Sequence, residues 1–207
     1  MAPSIDHLVV TAGSLAEGAE YVRRALGVEM QAGGEHVRMG THNCLLKLGE
    51  KLYLEVIAAN PGAPRPERPR WFQLDEPDSV RSPRLATWVA RCDDIHALAP
   101  KSLGKIETMN RGHYQWLITV PDDGRLGLQG LAPTLIQWKS RHPAEALEDR
   151  GCSLIRLEGF YPEPGKVTSI LRSIGFGGEF PVSHGAPGLA AQVQTPAGPR
   201  PLGASPG

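Results

Sequence analysis

Apolar and polar positions along the chain run through the same succession of elements twice, then begin a shorter third one. Ile5 to Thr11 alternates weakly and is rich in β-branched residues, which predicts a strand. Ser14 follows, with Glu17 placed to complete a capping box, and Leu15, Ala19, Val22 and Leu26 recur at helical spacing. Gly27 stands where a left-handed helix terminus belongs. Strands are predicted at 35–39, 43–48 and 52–58, the last two joined by the Gly49-Glu50-Lys51 turn. The order is β-α-β-β-β.

Six prolines (Pro61, Pro64, Pro66, Pro69, Pro77, Pro83) then interrupt the pattern, and neither a helix nor a central strand crosses such a stretch. Beyond it the order returns. Leu85 to Arg91 is a strand, Asp93 or Asp94 caps a short helix, and strands follow near 105–109, 113–120 and 134–139. Matching Asp94-Ile95 to Ser14-Leu15 sets Thr87 opposite His7. Glu55 lies six residues before Pro61 and Gln137 six before Pro143, which pairs Glu55 with Gln137. The third piece has a strand from Ser153 to Phe160, an apolar stripe Val167, Ile170, Leu171 and Ile174 at helical spacing, and a strand at 189–194. The expected organisation is a first module at 1–60, a proline-rich linker at 61–84, a second module at 85–145, and a C-terminal βαβ(β) half-unit at 146–207 packed on the pair.

Composition narrows the function classes. The 207 residues carry 22 basic and 22 acidic side chains, so no electrostatic footprint for nucleic acid or anionic membrane is expected. No apolar run approaches the roughly 18 residues that a spanning helix needs. Met1 to His7 lacks a basic segment and a long apolar run, so no signal peptide is expected and the location is read as cytoplasmic. Cys44, Cys92 and Cys152 are scattered, without CxxC spacing, and read as small buried hydrophobes beside strands.

Two tandem β-α-β-β-β modules resemble the vicinal oxygen chelate superfamily, and the residues resemble its glyoxalase-like domain family. The carriers are Ile5-Asp6-His7-Leu8-Val9-Val10, then Gly40-Thr41-His42-Asn43 with Leu45 and Leu48, Tyr53-Leu54-Glu55-Val56-Ile57, and Leu135-Ile136-Gln137-Trp138 before His142-Pro143. The resemblance implies an α+β fold in which the modules pair into a half-open mixed β-barrel, with a metal inside the cup. It carries the ligand positions to His7, Glu55, Thr87 and Gln137. Imidazole, carboxylate and amide oxygen suit Zn²⁺, Ni²⁺, Mn²⁺ or Fe²⁺, while threonine is a poor fourth ligand.

Strand alternation puts Tyr53 and Glu55 on one face, and a carboxylate within so apolar a strand calls for a partner. Glu55 and His42 are the candidate proton-transfer residues. His42, Tyr53, Thr87 and Trp138 are the candidate substrate contacts. His36, His96 and His184 read as surface residues and His142 as shaping a turn, while Trp71, beside Phe72 in the linker, is placed to close over the cup. Two functions stay open. One is a small-molecule enzyme of lyase, isomerase or dioxygenase type acting on a carbonyl or vicinal-oxygen substrate; the other is a metal-free protein of the same fold that binds or sequesters an apolar or aromatic compound without chemistry. The expected partner is a small-molecule ligand, with a second copy of the chain in a homodimer left open.

Overall fold

The computed structural model describes residues 1–204. The first module holds β1 (Ser4–Thr11), α1 (Leu15–Leu26), β2 (Gln31–His36), β3 (Thr41–Gly49) and β4 (Leu52–Ala59). After the linker, with its short α2 (Pro77–Val80), come β5 (Arg84–Arg91), α3 (Ile95–Leu98), β6 (Lys105–Arg111), β7 (Tyr114–Val120) and β8 (Thr134–Trp138). The chain continues through β9 (Ser153–Tyr161), α4 (Pro164–Ser173), β10 (Val182–His184), β11 (Gly188–Thr195) and β12 (Gly198–Gly203).

Local chemistry explains the boundaries of α1. The Ser14 side chain accepts from Glu17 N–H, and Gly27 (φ 71°) donates its N–H to Arg23 O. The first expected hairpin begins earlier than the periodicity suggests. Residues 37–39 form a 3-10 turn, and the strand before it runs Gln31–His36 because Gly40 (φ 57°) reverses the chain there. β12 carries Pro199 and Pro201, yet it lies at the edge of its sheet, where a missing donor leaves no ladder bond unmade on the open side.

Eight strands form one curled sheet in the order β2-β3-β4-β1-β5-β8-β7-β6. The modules join where β1 and β5 run antiparallel, with His7 opposite Val89, Leu8 opposite Trp88 and Val9 opposite Thr87. That register is a pseudo-two-fold relation: the shift carrying Leu8 to Trp88 also carries His7 to Thr87 and Val9 to Val89. The outer face of the curl buries Leu8, Val10, Leu54, Val56 and Trp88 against Val22 and Leu26 of α1 and against Leu157, Leu189, Ala191 and Val193 of the second sheet. That sheet has the order β10-β9-β11-β12. It covers β5 where α3 is only one turn long, and Phe180 packs 4.7 Å from Trp88. The inner face holds Val9, Ile57, Val89, Ile118 and Ile136, roofed by Trp71 and Phe72 from the linker.

The curl is closed by charge. Glu107 of β6 takes Arg38 of the first module at 2.6 Å and Arg68 of the linker at 2.9 Å. Burial opposes ionisation of Glu107, but the two guanidinium hydrogen bonds prevail and hold its carboxyl below the usual 4.5. Glu107→Gln is therefore expected to lower stability by about 1 kcal/mol, read by denaturant unfolding. A depressed folded value gives stability that is present above the unfolded value and lost as pH falls through the folded one. The difference from wild type should accordingly hold at neutral pH and vanish in acid.

Candidate active site

A bulge in β1 builds the site. The register between β1 and β5 slips between Ile5 and His7, so Asp6 has no opposite number and its side chain turns to the same side as His7. Asp6 is fully buried and accepts three hydrogen bonds: from His7 Nδ1 at 2.6 Å, Trp138 Nε1 at 2.9 Å and His142 Nε2 at 3.0 Å. Burial alone would push its carboxyl up, but the bonds from His142 and His7 outweigh it and hold Asp6 well below the usual 3.8. An ionised Asp6 only accepts, so His7 carries a proton on Nδ1 and turns Nε2 outward. That nitrogen lies 3.5 Å from Glu55 Oε2. The His7 ring is fixed from beneath by Tyr53, stacked at 4.5 Å and 13°. Burial, and then the charges of Asp6 and Glu55, keep the Tyr53 phenol protonated.

Glu55 is 5% exposed. Asn43 Nδ2 donates to its Oε1, and the pairing of β3 with β4 puts Asn43 and Glu55 on the same face. His7, Tyr53 and Glu55 then line a narrow cleft of about 330 Å³, counting its open mouth, together with His36, Arg111, Trp138 and an apolar wall that includes Trp71, Phe72 and Trp116. The backbone of the roof is strained. Phe72 and Gln73 have φ of 56° and 57°, a conformation that costs bulky residues roughly 1–2 kcal/mol each. It is held from both modules: Gln73 N–H donates to Gly124 O at 2.9 Å, and Arg70 Nε to Gly40 O at 3.2 Å.

The structure brings some expected residues together and leaves others out. His7, Glu55, Tyr53 and Trp138 share the cleft. Gln137 does not. In the second module Val89 pairs with Thr134, as Val9 pairs with Glu55 in the first, so Glu55 corresponds to Thr134. Gln137 is three positions away, an odd offset that turns it to the outer face. There its Oε1 accepts from Ile95 N–H and its Nε2 donates to Asp93 O. The match by following prolines failed because the segment after β8 differs in length from the one after β4. Thr87 does correspond to His7, but it is fully buried, lies outside the cleft lining and gives its hydroxyl to Gly130 O at 3.1 Å. Gly130 is needed there: a Cβ would sit 1.9 Å from Ala86 O.

His42 alternates to the other face of β3 and lines a separate groove with Ser14, Arg65 and Asp75. His36 is not a surface residue; it is 5% exposed, with Nδ1 3.0 Å from Thr41 Oγ1. His142 shapes its turn, accepting from Ala144 N–H, and also binds Asp6. Asp6 and Arg111 were missed. Strand alternation predicts Asp6 on the outer face, and no pattern announces a bulge.

The donor set falls short of a metal quartet. His7 Nε2 and Glu55 Oε2 are close enough to share an ion. Thr87 and Gln137 supply no third or fourth donor, and among the described residues no group of three His, Cys, Asp or Glu side chains converges.

A family model described as a glyoxalase-like domain matches residues 5–175, and the chain belongs to that family. No curated protein matches the sequence. Among solved structures, a hypothetical protein from Staphylococcus aureus is similar at a TM-score of 0.56 and 14% identity, over 84% of this chain and 75% of that one. A methylmalonyl-CoA epimerase from Streptomyces coelicolor, solved with 2-nitronate-propionyl-CoA, gives a TM-score of 0.45 and 16% identity over 68% of this chain and 100% of its own. The epimerase from Mycobacterium tuberculosis gives 0.39 and 16% over 69% and 91%. At these identities the likeness to the first of them concerns the fold. Among the described residues no helix is long and apolar enough to cross a membrane.

Asp6→Asn is expected to cost about 3 kcal/mol, since the amide cannot accept from all three donors and the His7 tautomer is no longer fixed. The folded Asp6 carboxyl is depressed, so its stabilisation is present above the unfolded value and lost as pH falls. Unfolding of wild type and variant should differ by a constant amount above about pH 5. The difference should shrink steadily as pH falls below the unfolded value, closing only where the folded Asp6 itself takes up a proton.

Proposed function

We propose that this glyoxalase-like chain is a small-molecule enzyme that moves a proton at a carbon beside a carbonyl, with Glu55 as the base. Glu55 itself carries the reading: a carboxylate 5% exposed in an apolar strand, open to the cleft, with an imidazole 3.5 Å away and, among the described residues, no lysine or arginine in ion-pair contact. An acid kept only for structure at that depth is normally held by a permanent cation or by hydrogen bonds to both oxygens. In the step, the substrate C–H bond breaks and its electron pair becomes the C=C bond of an enolate, with the charge on the former carbonyl oxygen. The proton passes to Glu55 and returns to the same carbon, which re-forms the C–H bond and restores the carbonyl. His7, oriented by Asp6, donates from Nε2 when protonated and so stabilises that oxygen.

The reading requires no resident Zn²⁺, Ni²⁺, Mn²⁺ or Fe²⁺. Two donors stand where a catalytic divalent site takes three, and the fixed charge of Arg111 in the same cleft opposes a second cation. The alternative, a protein that sequesters its ligand without chemistry, is favoured by the aromatic wall of Trp71, Phe72, Trp116 and Trp138. A cytoplasmic setting belongs to the same proposal, supported by three unpaired cysteines.

Small 2-oxo and 2-hydroxy-carbonyl compounds in D₂O should exchange their C–H for C–D with the protein present, followed by NMR. Glu55→Gln should slow this at least about 100-fold, and chelators should leave it unchanged. Binding without exchange would establish the sequestering alternative, and a stoichiometric metal lost together with exchange would overturn the metal-free step.

A further inference from the structure

Arg111 is 8% exposed and lines the cleft that holds Glu55. It ends β6, the edge strand that curls back to β2, where its aliphatic stem lies against Gly34; a Cβ on that glycine would meet Arg111 Cδ at 3.0 Å. The guanidinium carbon sits 5.5 Å over the Tyr114 ring. Among the described residues no carboxylate lies within the 4.0 Å of a salt bridge, and no side-chain or backbone acceptor takes a hydrogen bond from its nitrogens. The other arginines around the cup are matched: Arg38 and Arg68 bind Glu107, and Arg70 binds Asp75. The guanidinium nitrogens stay open to the solvent of the cleft, so Arg111 offers a permanent cation over Tyr114 with no anion beside it.

A second group in the same cleft is also unmatched. Trp71 is 4% exposed, and its indole Nε1 has no hydrogen-bond partner, although buried indole N–H groups normally find one. The His36 ring lies 5.1 Å from the Trp71 ring in an edge arrangement. Burial, with the charge of Arg111 next, holds His36 well below its usual value and therefore neutral. Its Nδ1 shares a hydrogen bond with the Thr41 hydroxyl at 3.0 Å. The one cleft thus holds a permanent cation and an unpartnered indole N–H together with Glu55 and His7.

From this juxtaposition we infer that the substrate is a small organic acid whose carboxylate is held by Arg111 and the Trp71 indole N–H, leaving its activated carbon against Glu55. A monoanion suits the site better than a phosphate dianion, because Asp6 and Glu55 already place two carboxylates around a single fixed cation. The inference rests on the proposed function for the role of Glu55, but not for the existence of the anion subsite, and the two can fail separately.

Trp71, Trp116 and Trp138 line the cleft and report on it by fluorescence. Pyruvate and lactate are the probes, against pyruvamide, lactamide and inorganic phosphate. The carboxylates should quench wild-type emission saturably, and the amides and phosphate should bind at least tenfold more weakly. Arg111→Gln should weaken carboxylate binding at least tenfold, and Arg111→Lys should recover part of it. Glu55→Gln should bind the carboxylates at least as tightly as wild type while losing exchange, which separates failure of the base from failure of the subsite. The wild-type comparison of acid with amide stands even where a substitution at Arg111 unfolds the chain. Equal binding of acid and amide, preference for phosphate, or carboxylate binding unchanged in a folded Arg111→Gln variant would overturn the inference.

Discussion

A carboxylate with no exposure to solvent persists only while its oxygens are hydrogen-bonded, and Asp6 meets that condition across the junction of two modules. Its donors come from β1 of the first module, from β8 of the second and from the turn that follows. Removing any one leaves an ionised group short of a partner in a dry interior, where the penalty is larger than at the surface. The same three bonds set the chemistry. They hold His7 in one tautomer, fix the Trp138 ring as a wall of the cleft, and carry the second module to its place beside Glu55. Folding of the pair and assembly of the site are therefore one event.

The backbone follows from that constraint. A regular β1 would turn Asp6 toward the outer sheet face, among Leu8, Val10 and the helix α1, where no donor waits. The bulge between Ile5 and His7 disrupts the ladder and delivers two consecutive side chains to the inner face. The roof shows a similar exchange. Phe72 and Gln73 adopt left-handed backbone conformations that residues with side chains disfavour, and in return Trp71 and Phe72 are buried over the cleft. The strained turn is anchored to Gly124 on one side and, through Arg70, to Gly40 on the other. Local irregularities thus coincide with the groups that form the cleft.

This pattern decides what could be read from the residues alone. Helix α1 with its Ser14 and Gly27 ends, the paired sheet and the C-terminal half-unit all follow from periodicity and capping, because burial on one face enforces them over many residues. The correspondence of His7 with Thr87 was legible too, since two helix caps set the same register in both modules. The correspondence of Glu55 with Gln137 was not, because prolines mark where a loop turns and not where a strand pairs. An error of three positions moves a side chain through the sheet. His42 fails by the same rule, one position from the inward-facing Asn43. Asp6, His36 and Arg111 were hidden for a different reason: each owes its position to a bulge, a 3-10 turn or the meeting of two edge strands distant in sequence.

The two modules have diverged along chemical lines. The first keeps the ionisable pair, His7 and Glu55, at the positions where the second carries Thr87 and Thr134. The second contributes Trp116 and Trp138 to the wall, and Arg111, where the edge strands β2 and β6 approach. A symmetric set of ligands would hold a cation at the centre of the barrel. Threonines stand in for half of that set, Thr87 giving its hydroxyl to Gly130 O, and Arg111 adds a guanidinium to the lining, an arrangement in keeping with the proposed anionic substrate. The electrostatic asymmetry is built on a nearly symmetric backbone, so the register that joins the modules also fixes the separation between the cation that would hold a substrate and the carboxylate that would act on it.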